Sequence, residues 1–210
     1  NLNSDFFTDI KGDSNLKTSI NFDIDNKFRI RNLSYSTEGN ISYLELITKE
    51  KKIITKYLTS YDSKILLKDI NIKLNQLKSE QITELDGLIK FNDHYDGFKI
   101  RNEYNAVKKS FDIVGLFDLT NSTINFSKIN YKKDSGKKSE LNFDINFIID
   151  NYYYIRDLNF TSGKNKIFLS KARLNKKLEV EDINQLQIKT FQKGIKNNDF
   201  LLDKSNKIKI

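Results

Sequence analysis

From Leu141 to Ile149 the chain alternates with a period of two. Leu141, Phe143, Ile145, Phe147 and Ile149 share one parity. Asn142, Asp144 and Asn146 hold the other, with Ile148 as the one intruder before Asp150. Side chains along an extended strand point to opposite faces in turn, so this pattern dictates a strand with one apolar and one solvated face. Just upstream, Ile124 and Phe126 alternate with Asn125 and Ser127, and the segment 132–138, KKDSGKK, reads as a polar hairpin loop in which Gly136 supplies a positive φ. Two amphipathic strands joined by a charged loop are the expectation for 124–149.

The same unit recurs through the chain. Ile20, Phe22, Ile24, Phe28 and Ile30 lie on even positions, with Asp25-Asn26-Lys27 as either a tight turn or a continuing strand. Leu33 and Tyr35 then fall on odd positions, which implies a bulge or a new strand near Asn32. Glu38-Gly39-Asn40 reads as a turn, 41–47 as a strand, 49–52 as a charged turn and 53–61 as a further strand. Ile65 and Leu67, followed by Ile70, Ile72 and Leu74, require a parity shift near Asp69. Residues 75–87 fit either a short helix capped by Gly87 or a strand–turn–strand.

Asn92 to Gly97 reads as a loop before a strand over 98–104, and 111–117 leads into the stretch described first. Beyond it come strands near 152–160, 167–169, 172–174, 178–180 and 186–190. Residues 1–17 read as a partial edge or linker, and 192–210 as a polar tail. The expected fold is all-β: an extended antiparallel meander in one domain spanning 1–210.

Composition restricts the chemistry. One His, no Cys and no Met among 210 residues leave few metal ligands and no thiol nucleophile. With 38% hydrophobic and 30% charged residues the chain suits a sheet wetted on one side. The net charge of +8 comes from 36 basic and 28 acidic residues that are interleaved, with short lysine runs at expected turns. No nucleic-acid partner is expected, because parity separates the aromatics from Lys and Arg. The chain starts at Asn1 without Met and has no apolar run of about 18 residues, so it reads as a segment of a longer protein with any anchor elsewhere.

His94, with Asp93 and Asp96, reads as a solvated turn, since metal sites need convergent ligands. Asp23 with Asp25, and Asp144 with Asp150, sit where carboxylates are ordinary, on the wet side of strands. No phosphate-binding glycine loop or nucleophile elbow is present, so no catalytic residue, metal or cofactor is expected and the chain is read as non-enzymatic. The 15 Phe and 10 Tyr carry more information, and the Phe residues mostly share parity with Ile and Leu. Such a face is either the sealed core of a sandwich or solenoid, as in an interaction module of a surface protein, or an open groove for lipid acyl chains.

Asp118-Leu119-Thr120, then Lys133-Asp134-Ser135-Gly136, then the alternating strand 141–149 and Ala172 with Leu174 follow one another in an order that resembles AsmA-like envelope proteins of Gram-negative bacteria. The resemblance covers about residues 85 to 205. Tyr131 stands where that family carries Trp near the lysine turn, and the accompanying Pro is absent. The resemblance implies a long, twisted antiparallel sheet curled into a groove, and a periplasmic bridge tethered to the inner membrane by a segment outside this chain. Its apolar β-groove carries phospholipids between inner and outer membrane, with components of both membranes as partners. On that reading Ile20, Phe22, Ile24, Ile124, Phe126, Leu141, Phe143, Ile145, Phe147 and Ile149 line the groove.

Overall fold

The computed structural model describes residues 7–48, 64–90, 94–149, 151–176, 179–192 and 194–204. The chain folds as β1 (Phe7–Ile24), β2 (Ile30–Thr48), β3 (Lys64–Leu77), β4 (Glu80–Lys90), β5 (Tyr95–Asn105) and β6 (Ser110–Asp118). A short pair follows, β7 (Ile124–Phe126) and β8 (Tyr131–Lys133), joined by a single 3-10 turn at Ser127–Ile129. The long strands then resume as β9 (Glu140–Ile148), β10 (Tyr153–Ser162), β11 (Asn165–Leu174), β12 (Val180–Gln192) and β13 (Ile195–Asp203). Eleven strands form one antiparallel sheet in the order β1-β2-β3-β4-β5-β6-β9-β10-β11-β12-β13, while β7 and β8 pair only with each other. The edges β1 and β13 do not join, and the inherent twist of paired strands curls the open sheet into a trough. The all-β antiparallel meander expected from the alternation is the fold observed, and its curl is the one the resemblance implies.

Several breaks in parity are bulges. Asp69 adopts φ 52° where β3 and β4 lose register between Lys68 and Asn71, and Asn32 adopts φ 49° opposite the shift between Asn21 and Asp23. Each inserted residue returns the apolar side chains to the same face. Lys171, at φ 51°, does the same inside β11, so 167–169 and 172–174 are one strand. The stretch 75–87 is strand–turn–strand around Lys78-Ser79.

Elsewhere the structure corrects the expectation. The partner of β9 is not the 124–127 segment but β6, with Phe117 opposite Leu141 and Phe111 opposite Phe147. Glu38-Gly39-Asn40 is no turn but the middle of β2. Tyr95 to Gly97 already belong to β5. Residues 7–17 are part of β1, and Ile195–Asp203 of the supposed tail is β13, in which Phe200 and Leu202 pair with Ile188 and Leu186. The strand expected at 53–61 and the turn at 49–52 lie outside the described residues.

The ladder aligns one apolar row across all eleven long strands. Leu16, Gly39, Ile72, Leu85, Ile100 and Gly115 are successive cross-strand partners from β1 to β6. Phe143, Leu158, Leu169, Leu186 and Leu202 continue the row to β13. The opposite face carries a row of alternating sign: Lys17, Glu38, Lys73, Glu84 and Arg101 are neighbours from β1 to β5. Arg101 bonds Glu84 at 2.5 Å and Glu103 at 2.7 Å. These pairs are exposed and worth only a few tenths of a kcal/mol each, and a slip of one residue would lose them by setting each charge against an uncharged residue, Glu38 against Leu16 or Thr18 for example.

The two glycines in the apolar row serve close packing. A Cβ on Gly115 would stand 2.2 Å from the ring of Phe143, which lies across it. A Cβ on Gly39 would stand 2.1 Å from the backbone carbonyl oxygen of Asn15. A backbone atom in a ladder moves less readily than a ring, so Gly39→Ala is expected to cost about 2–3 kcal/mol. Gly163→Ala, in an open turn at φ 58°, should cost only about 1 kcal/mol. Thermal melts followed by circular dichroism check the order of the two variants; equal losses would show that β1 and β2 can separate at Gly39.

Candidate functional site: an apolar floor closed at one end

The first apolar row runs along the middle of a wider floor. On one side of it lies a second row, in which Ile113, Ile145, Ile155, Ala172 and Ile183 are successive partners from β6 to β12. Its continuation toward β1 is more polar, through Asn102, Thr83, Leu74, Thr37 and Thr18. Beyond it an aromatic ladder crosses four strands: the rings of Tyr104 and Phe111 are 4.5 Å apart, Phe111 and Phe147 4.6 Å, and Phe147 and Tyr153 5.6 Å. Offset rings on adjacent strands contribute about 0.5–1.5 kcal/mol per pair beyond area burial.

Of the expected groove residues, Phe143, Ile145 and Phe147 lie together on this floor and are half-buried. Ile20, Phe22 and Ile24 extend it along edge strand β1, where they are 59%, 48% and 59% exposed. Ile149 follows the end of β9 and is 42% exposed. The remaining three, Ile124, Phe126 and Leu141, line no open groove. Ile124, Tyr131 and Phe160 are buried in a small core with Leu119, Phe126, Ile129, Leu141 and Ile167 around them. Phe160 meets Phe126 and Tyr131 edge-on at ring distances of 6.0 and 6.1 Å. The β7–β8 hairpin is thus a plug. It folds over the floor at the end of the strands occupied by Leu141, Phe160 and Ile167, and closes that end.

The plug is held by polar groups buried beneath it. Lys133, only 1% exposed, donates from Nζ to the carbonyl oxygens of Leu119 at 2.5 Å, Thr120 at 3.0 Å and Ser122 at 2.5 Å. Asp96, 2% exposed, accepts from the Asn121 amide at 2.8 Å and the Ser122 hydroxyl at 2.5 Å. Asp118 starts the turn by accepting the Thr120 amide at 2.9 Å. Burial lowers the pKa of Lys133, and the nearby carboxylates of Asp96 and Asp118 oppose that shift. Burial also pushes the Tyr131 phenol up. At the far side, Asn197 and Asn198 donate to the Asn130 and Ile129 carbonyls at 2.8 and 2.7 Å, tying the plug to β13.

Sequence reasoning placed Lys133 in a solvated turn and Asp96 beside a solvated histidine. Both are central to the plug. The signal that could have found Lys133 is its parity, since a two-residue period puts it on the face of the buried Tyr131. The other carboxylates considered as chemical groups serve structure. Asp25 organises the β1–β2 turn by accepting the Lys27 and Arg29 amides at 2.8 and 3.0 Å, the former causes holding its pKa below the ordinary range together with the guanidinium groups of Arg29 and Arg31. Asp23 accepts from Asn32, and Asp144 from Arg156. Asp93 and Asp150 lie outside the described residues. Among the described residues no group of three or more His, Asp or Glu side chains is placed to hold a metal ion.

Comparison with protein-family models, curated proteins and solved structures finds no match for this chain. No helix among the described residues is long and apolar enough to cross a membrane.

Replacing Asp96 by Ala removes the acceptor for one buried amide and one buried hydroxyl, a loss of about 1–3 kcal/mol each where the groups stay dry. The expected outcome is local. Amide hydrogen exchange of residues 119–124 accelerates, while exchange in the β10 and β11 ladder changes little. Uniform acceleration across the sheet would show instead that the plug and the sheet open together.

Proposed function

We propose that the chain is a lipid-carrying segment of an AsmA-like periplasmic bridge, in which phospholipid acyl chains rest on the apolar floor in transit between inner and outer membrane. One observation carries the reading: an apolar row runs through all eleven strands of an open sheet, and among the described residues the one other sheet is the two-stranded plug. A sandwich would place a second sheet there. The ordered turns at 118–122 and 133–136, quoted above for the family resemblance, build the plug, which gives those motifs a structural purpose.

The mechanism is physical. Each methylene shielded from water is worth about 0.8 kcal/mol when fully buried. The floor covers one side of a chain and offers no deep pocket, so a lipid can be held and still slide. No residue is assigned a catalytic role.

The test is native mass spectrometry of the purified 210-residue chain, with lipid extraction from the same sample. The wild type is expected to carry phospholipid adducts. Phe143→Asp and Ile145→Asp each place a carboxylate in the centre of the floor, and each should reduce occupancy at least tenfold while the far-ultraviolet β signal persists. A lipid-free mass for a folded wild-type monomer would sink the proposal. So would global unfolding of both variants, which would mark the face as a sealed core.

A further inference from the structure

Five hairpin turns fall together at the end of the strands opposite the plug, those of β1–β2, β3–β4, β5–β6, β9–β10 and β11–β12. Four of them combine an exposed apolar side chain with lysine. Phe28 is 90% exposed and follows Lys27; Leu77 is 64% exposed and precedes Lys78. Val107 is 80% exposed and precedes Lys108 and Lys109; Val180, 57% exposed, opens β12 after a turn that contains Lys176. None of these lysines forms an ion pair among the described residues, and the carboxylate of Asp25 at the same rim is already taken by Arg29 and Arg31.

The backbone adds a second observation. At this end the left-handed turn positions are filled by Phe28, Lys78 and Lys109, at φ 56°, 53° and 51°. At the plug end they are filled by Gly136, Gly163 and Gly194, with Asn130 at φ 48° in the turn of the plug itself. A side chain in that conformation costs about 1 kcal/mol that glycine avoids. Glycine would close the rim turns at lower cost, which leaves room for a role of the Phe and Lys side chains themselves.

We propose that this rim binds the phosphate headgroups of phospholipids whose acyl chains lie along the strands, with their ends toward the plug. The inference rests on the lipid reading of the floor and gives it a direction. From Leu141, under the plug, to Ile148 the floor spans seven residue steps of β9, or about 24 Å at the usual rise. One leaflet of a bilayer is about 15 Å of hydrocarbon, so an extended chain fits between plug and rim. At the rim Leu77 has the parity opposite to Ile72 and Leu74 and lies on the other face, whereas the turns that carry Phe28 and Val107 expose apolar surface beside lysine ammonium groups. An anionic headgroup complements them, and lysine near such a charge is worth about 1 kcal/mol.

The experiment offers the full chain equal amounts of phosphatidylglycerol and diacylglycerol with identical acyl chains, and reads retained lipid by native mass spectrometry. The wild type should retain phosphatidylglycerol over diacylglycerol by about fivefold or more, the factor for one lysine–phosphate contact. The combined variant Lys78→Asn, Lys108→Gln and Lys109→Asn keeps residues that tolerate the left-handed turn, and should lose the preference. The matching Lys→Arg variant should keep it. Equal retention of the two lipids by the wild type, or an undiminished preference in the neutral variant, overturns the rim proposal while leaving the floor reading in place. Retention of neither lipid by the wild type overturns both.

Discussion

A single-layer sheet satisfies its backbone within the ladder but cannot bury its own side chains. That constraint shapes the whole molecule. Interior strands pair on both sides, which meets the hydrogen-bonding demand of every amide and carbonyl along them, yet each still presents one face of Ile, Leu and Phe. In a sandwich a second sheet about 10 Å away would cover that face. Here the curl of the sheet and contact between neighbouring rings do part of the work, and the floor residues end up half-buried.

Among the described residues, large apolar side chains are fully buried in two clusters, and both depend on departures from regular strand geometry. Ile70, Ile89 and Phe98 form a small core where the Asp69 bulge bends β3 toward Gly87. The second core lies under the plug and is sealed by Lys133 and Asp96. A buried ammonium and a buried carboxylate are costly to desolvate, and here each is fully engaged by groups of the 119–122 loop. The polar network thereby fixes where the plug sits, while the aromatic packing of Phe126, Tyr131 and Phe160 supplies its apolar contacts. A hydrophobic hairpin without those polar anchors could settle anywhere on an apolar floor of this size.

Local signals in the sequence marked strands, faces and several bulges, because these depend on the two-residue period alone. The parity breaks at Asn32 and Asp69 were legible for that reason. Pairing was less legible, since it depends on what the ladder brings together. Ile124–Phe126 and Leu141–Ile149 both alternate, and nothing local says that the first is an insertion and the second pairs with Phe111–Phe117. Gly39 carries a turn signature, but its reason is the approach of the Asn15 carbonyl from another strand. Lys133 looks solvated among its charged neighbours, and only the carbonyls folded over it make burial tolerable. Of the expected floor residues, Phe143, Ile145 and Phe147 share one face of β9, as their parity requires, while Ile124, Phe126 and Leu141 pack in the core under the hairpin, whose cover no local pattern announces.

On the proposed reading, incomplete burial is what a carrier requires. A closed apolar cavity would surround an acyl chain, and at about 0.8 kcal/mol per methylene a long chain would leave it slowly. A floor touches one side only, so adjacent positions differ little in free energy and the barrier between them is small. The central row supports this, since it runs from Leu16 to Leu202 with no charged member and with glycine at two strands. The neighbouring row is less uniform, with Thr18, Thr37, Thr83 and Asn102 before the aliphatic run that begins at Ile113. An acyl chain should therefore rest more firmly over β6 to β12 than over β1 to β5, and the plug sits over the firmer half. The closed end of the floor and its most apolar part thus coincide, which is where the tail of a lipid would be held while its head remains in water.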